Sequence, residues 1–306
     1  MKEYESLIIG GGPAGITAAL YLLRSGVKIA WVEKLAPGGQ VLLTENIENY
    51  PGFPESIKGY ELIDKFTAHL DDFEFDRIRD EVKEITPGPD YHTVSLENQQ
   101  VQARTVIVCS GSTWKRLGIP GEERFMGRGI SNCAVCDGNF FRGREVACIG
   151  GGDTALEESL YLAKLASKVY LIHRRDRFRG AQYYQEKVIS HPKIEILYHT
   201  VAREFQGQDS LTGIRLKNLQ TSRESVLEVE GAFVFVGLDP AASFIPPDID
   251  TDPQGFIITD TEMATSVPGV FAAGDIRSKL CRQVSSAVGD GATAAHNAHI
   301  YLEQNT

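Results

Sequence analysis

The residues with the sharpest chemistry lie near the middle of the chain, in Ser131-Asn132-Cys133-Ala134-Val135-Cys136-Asp137-Gly138. Two cysteines with two residues between them can close a small disulfide ring, and the thiolate released on reduction attacks other disulfides. Asp137, directly beside the pair, is placed to deliver and remove the proton that each exchange needs. An Asp-Gly pair is also a frequent turn signal. Zinc would require a second cysteine pair or two histidines at metal spacing. The sequence offers only His296 and His299, which read as surface positions of a C-terminal helix, so no metal site is expected. Of five cysteines, Cys109 and Cys148 sit in apolar strand-like runs and read as small buried hydrophobes, and Cys281 stands alone.

Two glycine motifs supply the second kind of chemistry. Gly10-Gly11-Gly12-Pro13-Ala14-Gly15 and Gly150-Gly151-Gly152-Asp153-Thr154-Ala155 both fit G-x-G-x-x-G/A. In that pattern the first position makes the turn, the second admits a pyrophosphate against the backbone, and the third lets helix and strand pack closely. The pyrophosphate then rests on the positive end of the helix. Each motif is preceded by a strand pattern and followed by a helix pattern, which argues against two chance glycine-rich turns.

Comparison of the motifs with each other is more informative than either alone. Glu33 and His173 each lie 23 positions beyond the first glycine of their motif, and His173 is followed by Arg174 and Arg175, with Arg179 a turn further on. A carboxylate in that slot accepts hydrogen bonds from a ribose diol. Arginines there suit a 2′-phosphate, through charge-assisted and often bidentate bonds. The sequence therefore predicts a first nucleotide without a 2′-phosphate and a second with one, a pair that FAD and NADPH satisfy.

The elements that must position these residues repeat on a large scale. Residues 5–34 and 145–175 both read as strand, glycine turn, helix, strand, with helices over Ala14–Leu23 and Thr154–Leu165. Alternating strands and helices predict an α/β fold with doubly wound parallel sheets. Each unit has a later strand running into glycine, Thr105–Val108 before Ser110-Gly111-Ser112 and Ala232–Val236 before Gly237. A last helix is expected from about Ser286 to Leu302. We read a discontinuous first domain, residues 1–114 and 242–306, with a second domain, 115–241, inserted into it. With 41 acidic and 31 basic residues the net charge is −10, which argues against nucleic acid or an anionic membrane as the main partner. No apolar run approaches the ~20 residues that span a bilayer.

Taken together, these motifs resemble the low-molecular-weight (bacterial-type) thioredoxin reductases, and the similarity runs essentially end to end. It is carried by Gly10–Gly15, Gly38-Gly39-Gln40, Asn49-Tyr50-Pro51-Gly52, Cys133–Gly138, Gly150–Ala155, His173-Arg174-Arg175 with Arg179, Gly274-Asp275 and Arg282-Gln283. The resemblance implies an FAD domain and an inserted NADPH domain bearing the cysteines. FAD would be held by Gly10, Gly12, Pro13, Ala14, Gly15, Glu33, Gly39, Gln40, Asn49, Gly111, Gly274, Asp275, Arg282 and Gln283. NADPH would be held by Gly150, Gly152, Asp153, Thr154, Ala155, His173, Arg174, Arg175 and Arg179. It further implies that Cys136 faces the flavin, that Cys133 attacks the disulfide of thioredoxin or a thioredoxin-like protein, that Asp137 is the acid, and that the enzyme is a cytoplasmic homodimer. A rotation of one domain against the other is expected, with hinges near Lys115–Leu117 and Leu238–Ala241.

Two departures stand out. Asn139 occupies a position where the family generally has a small or aromatic residue ahead of Phe140-Phe141, and Ser110-Gly111-Ser112 replaces the more usual Thr-Gly-Ala turn. The alternatives are a flavin-linked dithiol oxidase or a related reductase with a different electron donor. Neither needs an intact second glycine motif or Arg174 and Arg175, which disfavours both.

Overall fold

Ser6-Leu7-Ile8-Ile9 is apolar on both sides of the strand it forms, the pattern of a parallel strand covered on both faces. In the computed structural model, which describes residues 1–44, 47 and 49–305, it belongs to β1 (Lys2–Ile9). There follow α1 (Pro13–Arg24), β2 (Ile29–Glu33), α2 (Gly59–Ala68) and β3 (Asp76–Arg79). Three more strands, β4 (Val82–Thr86), β5 (His92–Leu96) and β6 (Gln100–Val108), precede the short β7 (Ser112–Trp114). The main sheet has the order β3-β2-β1-β6-β5-β4. Its β3-β2-β1-β6 part is parallel, and β5 and β4 are added antiparallel. Side chains alternate across it: Ile8, Trp31 and Ile107 pack on one face with α1, whereas Leu7, Ile9, Val32, Val106 and Val108 pack on the other.

The second unit repeats this plan. Its elements are α3 (Glu122–Phe125), β8 (Ile130–Ser131), α4 (Ala134–Asp137), β9 (Glu145–Gly150), α5 (Asp153–Leu165), β10 (Lys168–Ile172), α6 (Gln182–Ile189) and β11 (Ile194–Leu197). The meander β12 (Thr200–Gly207), β13 (Leu211–Asn218), β14 (Glu224–Glu228) and the strand β15 (Gly231–Phe235) complete it. The sheet β11-β10-β9-β15-β8 is wholly parallel. Helix α5 covers the face lined by Val146, Cys148, Leu171 and Phe233, and the antiparallel meander covers the opposite face through Phe205, Leu211, Ile214 and Leu216.

The chain then passes through β16 (Leu238–Pro240), which pairs with β7, and β17 (Val270–Ala272), which pairs in parallel with β6, to α7 (Val284–Gln304). Contacts divide the molecule into Met1–Thr113 with Asp239–Thr306, and Trp114–Leu238. In the first unit α7 lies directly on α1. A Cβ at Gly291 would stand 2.2 Å from the Ala14 carbonyl oxygen, so only glycine permits that approach. The α/β class, both glycine-turn units and the terminal helix are as the sequence predicts. The strands β4 and β12–β14 are not, because their burial alternates incompletely and gives no clean period; β5 does alternate, but His92, Thr93 and Ser95 make its apolar face short. Among the described residues, no helix is long and apolar enough to cross a membrane.

His92 on β5 is buried and its Nδ1 has no hydrogen-bond partner. Burial holds its pKa below the ordinary histidine value, partly offset by a backbone bond to Pro268. A buried neutral histidine contributes stability that is fully present above the unfolded value, about 6.5, and is lost as pH falls below it. Urea unfolding at pH 7.5 and 5.5 should therefore show a loss of stability in the wild type that is smaller in His92→Asn.

Candidate active site

In the first unit the Gly10–Gly15 turn joins β1 to α1. A Cβ at Gly15 would meet the Gly10 carbonyl oxygen at 1.9 Å, and one at Gly10 the Cys109 carbonyl oxygen at 2.4 Å, so strand and helix approach at backbone distance. Gly12 caps α1 and has nothing within 4 Å of its Cβ position, which leaves the helix end open. Pro13 takes the first helical position, where no N–H is wanted, and Ala14 the next. Glu33, at the end of β2, accepts the Gly11 N–H at 2.6 Å through Oε2 and the Leu35 N–H at 2.8 Å through Oε1. The Gly38 N–H returns to the Gly11 carbonyl at 2.6 Å. Gly39 follows, its Cβ position 3.6 Å from the Gly12 Cα.

The other residues singled out for the first nucleotide fall into three groups. Gln40 donates to the Ser112 carbonyl at 2.5 Å, next to Gly111. Asn49 donates to the Gln283 side chain at 3.0 Å, and Gln283 is the cap of α7. Gly274, whose Cβ position lies 3.0 Å from the Ala14 Cβ, donates its N–H to Asp290 on α7 at 3.0 Å and leads into Asp275. Asp275 Oδ1 is buried without a hydrogen-bond partner, its nearest cation being the Lys279 ammonium at 3.7 Å. Burial pushes this carboxyl above the ordinary carboxylate range, against the pull of Lys279 and Arg282. The Arg282 guanidinium lies over the Phe256 ring at 4.1 Å and bonds the Lys279 and Arg277 carbonyls, leaving Nε unpartnered. An open helix end, an acceptor set at Glu33, an orphaned carboxylate oxygen and an orphaned guanidine N–H fit a dinucleotide with free hydroxyls and no 2′-phosphate.

Sequence reasoning missed the ion cluster that holds this loop. Asp290 takes Arg277 and Lys279, each at 2.9 Å, with side chains only 10 to 13% exposed. The signal available was an acid and two bases at separations that only the fold brings together.

The second unit repeats the geometry with opposite polarity. Gly150 is pressed between the Phe235 carbonyl and Ala155, and Gly152 is again the open cap of the helix. Thr154, in the first turn of α5, is exposed. His173 is buried and both its ring nitrogens face backbone carbonyls, Nδ1 at 2.7 Å from Gly150 and Nε2 at 2.9 Å from Arg177. Its ring fills the space beside Gly151, where a Cβ would stand 2.2 Å from it. The Arg179 N–H donates to the Gly151 carbonyl at 2.8 Å, the counterpart of the Gly38 bond. Asp153 accepts the Ala181 N–H at 2.7 Å and closes the loop on the first turn of α5. His173 thus fixes the loop that carries the arginines, and its nitrogens are already engaged by backbone. The side chains of Arg174, Arg175 and Arg179 are exposed and hold no ion pair among the described residues.

In the same unit Cys133 and Cys136 form a disulfide. Cys133 caps α4, its Sγ accepting the Cys136 N–H at 3.1 Å, and its own N–H bonds Ser131 Oγ at 3.0 Å. Cys136 is exposed, while Cys133 and Asp137 are half-buried. Phe140 is 74% exposed, and Asn139 accepts a bond from Arg142 at 2.9 Å, so the departure from the family pattern is a polar pair beside an exposed ring. Cys109 and Cys148 are buried, and burial raises the pKa of both thiols.

Two glycine-turn units in one chain, the second with a disulfide at its surface, define a nucleotide-dependent disulfide oxidoreductase. The family model for pyridine nucleotide-disulphide oxidoreductases matches residues 4–291. The thioredoxin reductases of Listeria monocytogenes and Bacillus subtilis are 42% and 40% identical, each over 99% of this chain, covering 95% and 96% of their own lengths. The crystal structure of Lactococcus lactis thioredoxin reductase (FR conformation) is 41% identical with a TM-score of 0.96, covering 98% of this chain and 99% of that one. That of T. acidophilum thioredoxin reductase is 32% identical, with a TM-score of 0.92 over 100% of both chains. The chain belongs to the pyridine nucleotide-disulphide oxidoreductase family, in its thioredoxin reductase branch.

Asp290→Asn would leave the nearly buried Arg277 without its counter-charge and Lys279 with only the more distant Asp275, a change that costs about 3 kcal/mol. Urea unfolding of the flavin-free protein should register that loss, and the flavin bound per chain after purification should fall with it.

Proposed function

We propose that this protein transfers electrons from NADPH through FAD to the Cys133–Cys136 disulfide, and from there to the disulfide of a thioredoxin or thioredoxin-like protein. The observation that carries this reading is the disulfide in the unit whose glycine turn is flanked by exposed arginines, while the other turn is tied by a carboxylate. FAD would be held by the Gly10–Gly15 turn, Glu33, Gly39, Gln40, Asn49, Gly111, Gly274, Asp275, Arg282 and Gln283. The Gly150–Ala155 turn and Arg174, Arg175 and Arg179 would hold NADPH, with His173 fixing the arginine loop. Bound flavin supplies a two-electron carrier between the nicotinamide and the disulfide.

The steps assigned to the chain's own groups balance as disulfide exchange. The Cys133 thiolate attacks one sulfur of the partner disulfide, and the sulfur displaced leaves as a thiolate that takes up a proton, with Asp137 as the donor. Cys136 then gives up its proton and attacks Cys133 in the mixed disulfide; the second partner sulfur leaves as a thiolate that takes up that proton, and the Cys133–Cys136 bond is restored. Two electrons and two protons pass to the partner. The cellular setting we infer is the cytoplasm, with the enzyme working as a homodimer, on the strength of its family resemblance.

Cys133→Ser and Cys136→Ser should each abolish thioredoxin reduction yet retain bleaching of flavin absorbance on addition of NADPH, because hydride transfer does not involve sulfur. Thioredoxin turnover at the wild-type rate in either variant would overturn the assignment. Absence of bleaching by NADPH in the wild type would favour a reductase with another electron donor.

Nucleotide choice has its own test in the double variant Arg174→Ala, Arg175→Ala. Each charge-assisted bond to a 2′-phosphate contributes about 1.5–3 kcal/mol. The double variant should therefore lower kcat/KM for NADPH by roughly a hundredfold or more, with that for NADH nearly unchanged. An intact NADPH preference would show that the arginines are only a solvated charged run.

A further inference from the structure

Helix α5 bears the nucleotide-type turn at its start and, in its second turn, a carboxylate that reaches the cysteine pair. Glu158 is half-buried, and its Oε2 accepts the N–H of Ala134 at 3.1 Å. Ala134 is fully buried and follows Cys133 directly. The first free N–H groups after a redox cysteine are those that would otherwise favour its thiolate. Here the first is taken by a carboxylate, so that of these donors the Cys136 N–H is aimed at the Cys133 sulfur and favours its thiolate, an effect the Glu158 charge works against.

Asp137 lies on the turn itself and Arg142 follows the next turn, while α5 also carries Glu157 and Lys164. Lys164 lies over the Tyr161 ring at 5.8 Å, and Arg142 is held by Asn139. Glu158 already acts on another thiol of this unit. The Cys148 thiol is pushed up to about 12, by burial first, with the Glu158 charge adding to it.

We propose that Glu158 is a positioning residue of the dithiol, fixing the Cys133–Cys136 turn through the Ala134 N–H while its negative charge keeps the reduced pair in the thiol form. The proposal rests on the reading of that pair as the exchanging dithiol. Its consequence is selectivity: a standing thiolate is open to peroxide and other small oxidants, whereas a thiol gives up its proton as exchange begins.

The test uses the flavin-loaded enzyme reduced anaerobically with NADPH. Iodoacetamide labelling of the Cys133 and Cys136 peptides is followed by mass spectrometry from pH 5 to 9, which separates them from exposed Cys281. Glu158→Gln keeps an acceptor for the Ala134 N–H and removes only the charge. Its labelling midpoint should move to lower pH by roughly 0.5 to 1. Its dithiol should lose activity to added peroxide several times faster than the wild type. Glu158→Ala removes charge and acceptor together, and should lower kcat for thioredoxin reduction several-fold below Glu158→Gln. An unchanged midpoint in Glu158→Gln overturns the electrostatic role, and equal turnover in the two variants overturns the positioning role. If Glu158→Ala fails to fold, thioredoxin turnover in Glu158→Asp, whose shorter side chain cannot span the same distance, decides the second point in its place. A wild type that reduces no thioredoxin would instead refute the reading of the pair, leaving the labelling result to stand by itself.

Discussion

A glycine turn that offers its backbone to a pyrophosphate has no side chains with which to hold itself in shape. Everything else at these two sites depends on how that deficit is met. In the first unit the Glu33 carboxylate accepts the Gly11 N–H at 2.6 Å. In the second the His173 ring lies 2.7 Å from the Gly150 carbonyl and reaches across to Arg177. The same structural slot therefore braces its turn through an N–H in one case and a carbonyl in the other. The polarity of the brace then sets what can follow it along the chain. A carboxylate leaves an acceptor field suited to hydroxyls, whereas the histidine leads into a loop of exposed guanidinium groups. The shape of the turn and the polarity of the loop after it are thus tied to one position in each unit.

Charge burial is treated differently at the two sites. The first unit gathers Arg277, Lys279 and Asp290 into a nearly desolvated cluster beneath the Gly274-Asp275 loop, and leaves one oxygen of Asp275 unpartnered. Such an arrangement is weak evidence for stability, since buried ion pairs can cost as much in desolvation as they return. It is a good device for holding a loop in one shape. The second unit leaves its arginines in solvent and orders their backbone instead, through the bonds of Arg179 to Gly151 and Ala181 to Asp153.

Much of this was legible in the sequence because the signals were local. The glycine turns, the strands that feed them, Glu33 against the arginines, and the cysteine pair are all short patterns with a physical reason for their spacing. Family resemblance extended this to Asn49 and Gln283, which the fold joins at 3.0 Å although they lie far apart in sequence. Three things were not legible. The sequence singles out His173 but does not show that both its ring nitrogens meet backbone carbonyls and so brace the turn. Asp290 and Glu158 lie on helices whose registers place them against a loop and a turn from other parts of the chain, and only packing reveals that. The meander β12–β14 has too incomplete an alternation of burial to be distinguished from loop.

The close contact of α7 on α1 has a consequence for biosynthesis. The unit formed by Trp114–Leu238 is continuous and can fold as soon as it clears the ribosome. The unit that opens the chain cannot. Its Phe271, Ala294, Ala295, Ala298 and Leu302, which belong to the core on the α1 face of the sheet, all follow the inserted unit in the chain. While the inserted unit is being made, the side of α1 around Ala14 that α7 will meet has no cover. The order of segments along the chain therefore sets how long that face waits for its cover, which is complete only when α7 has emerged and docked.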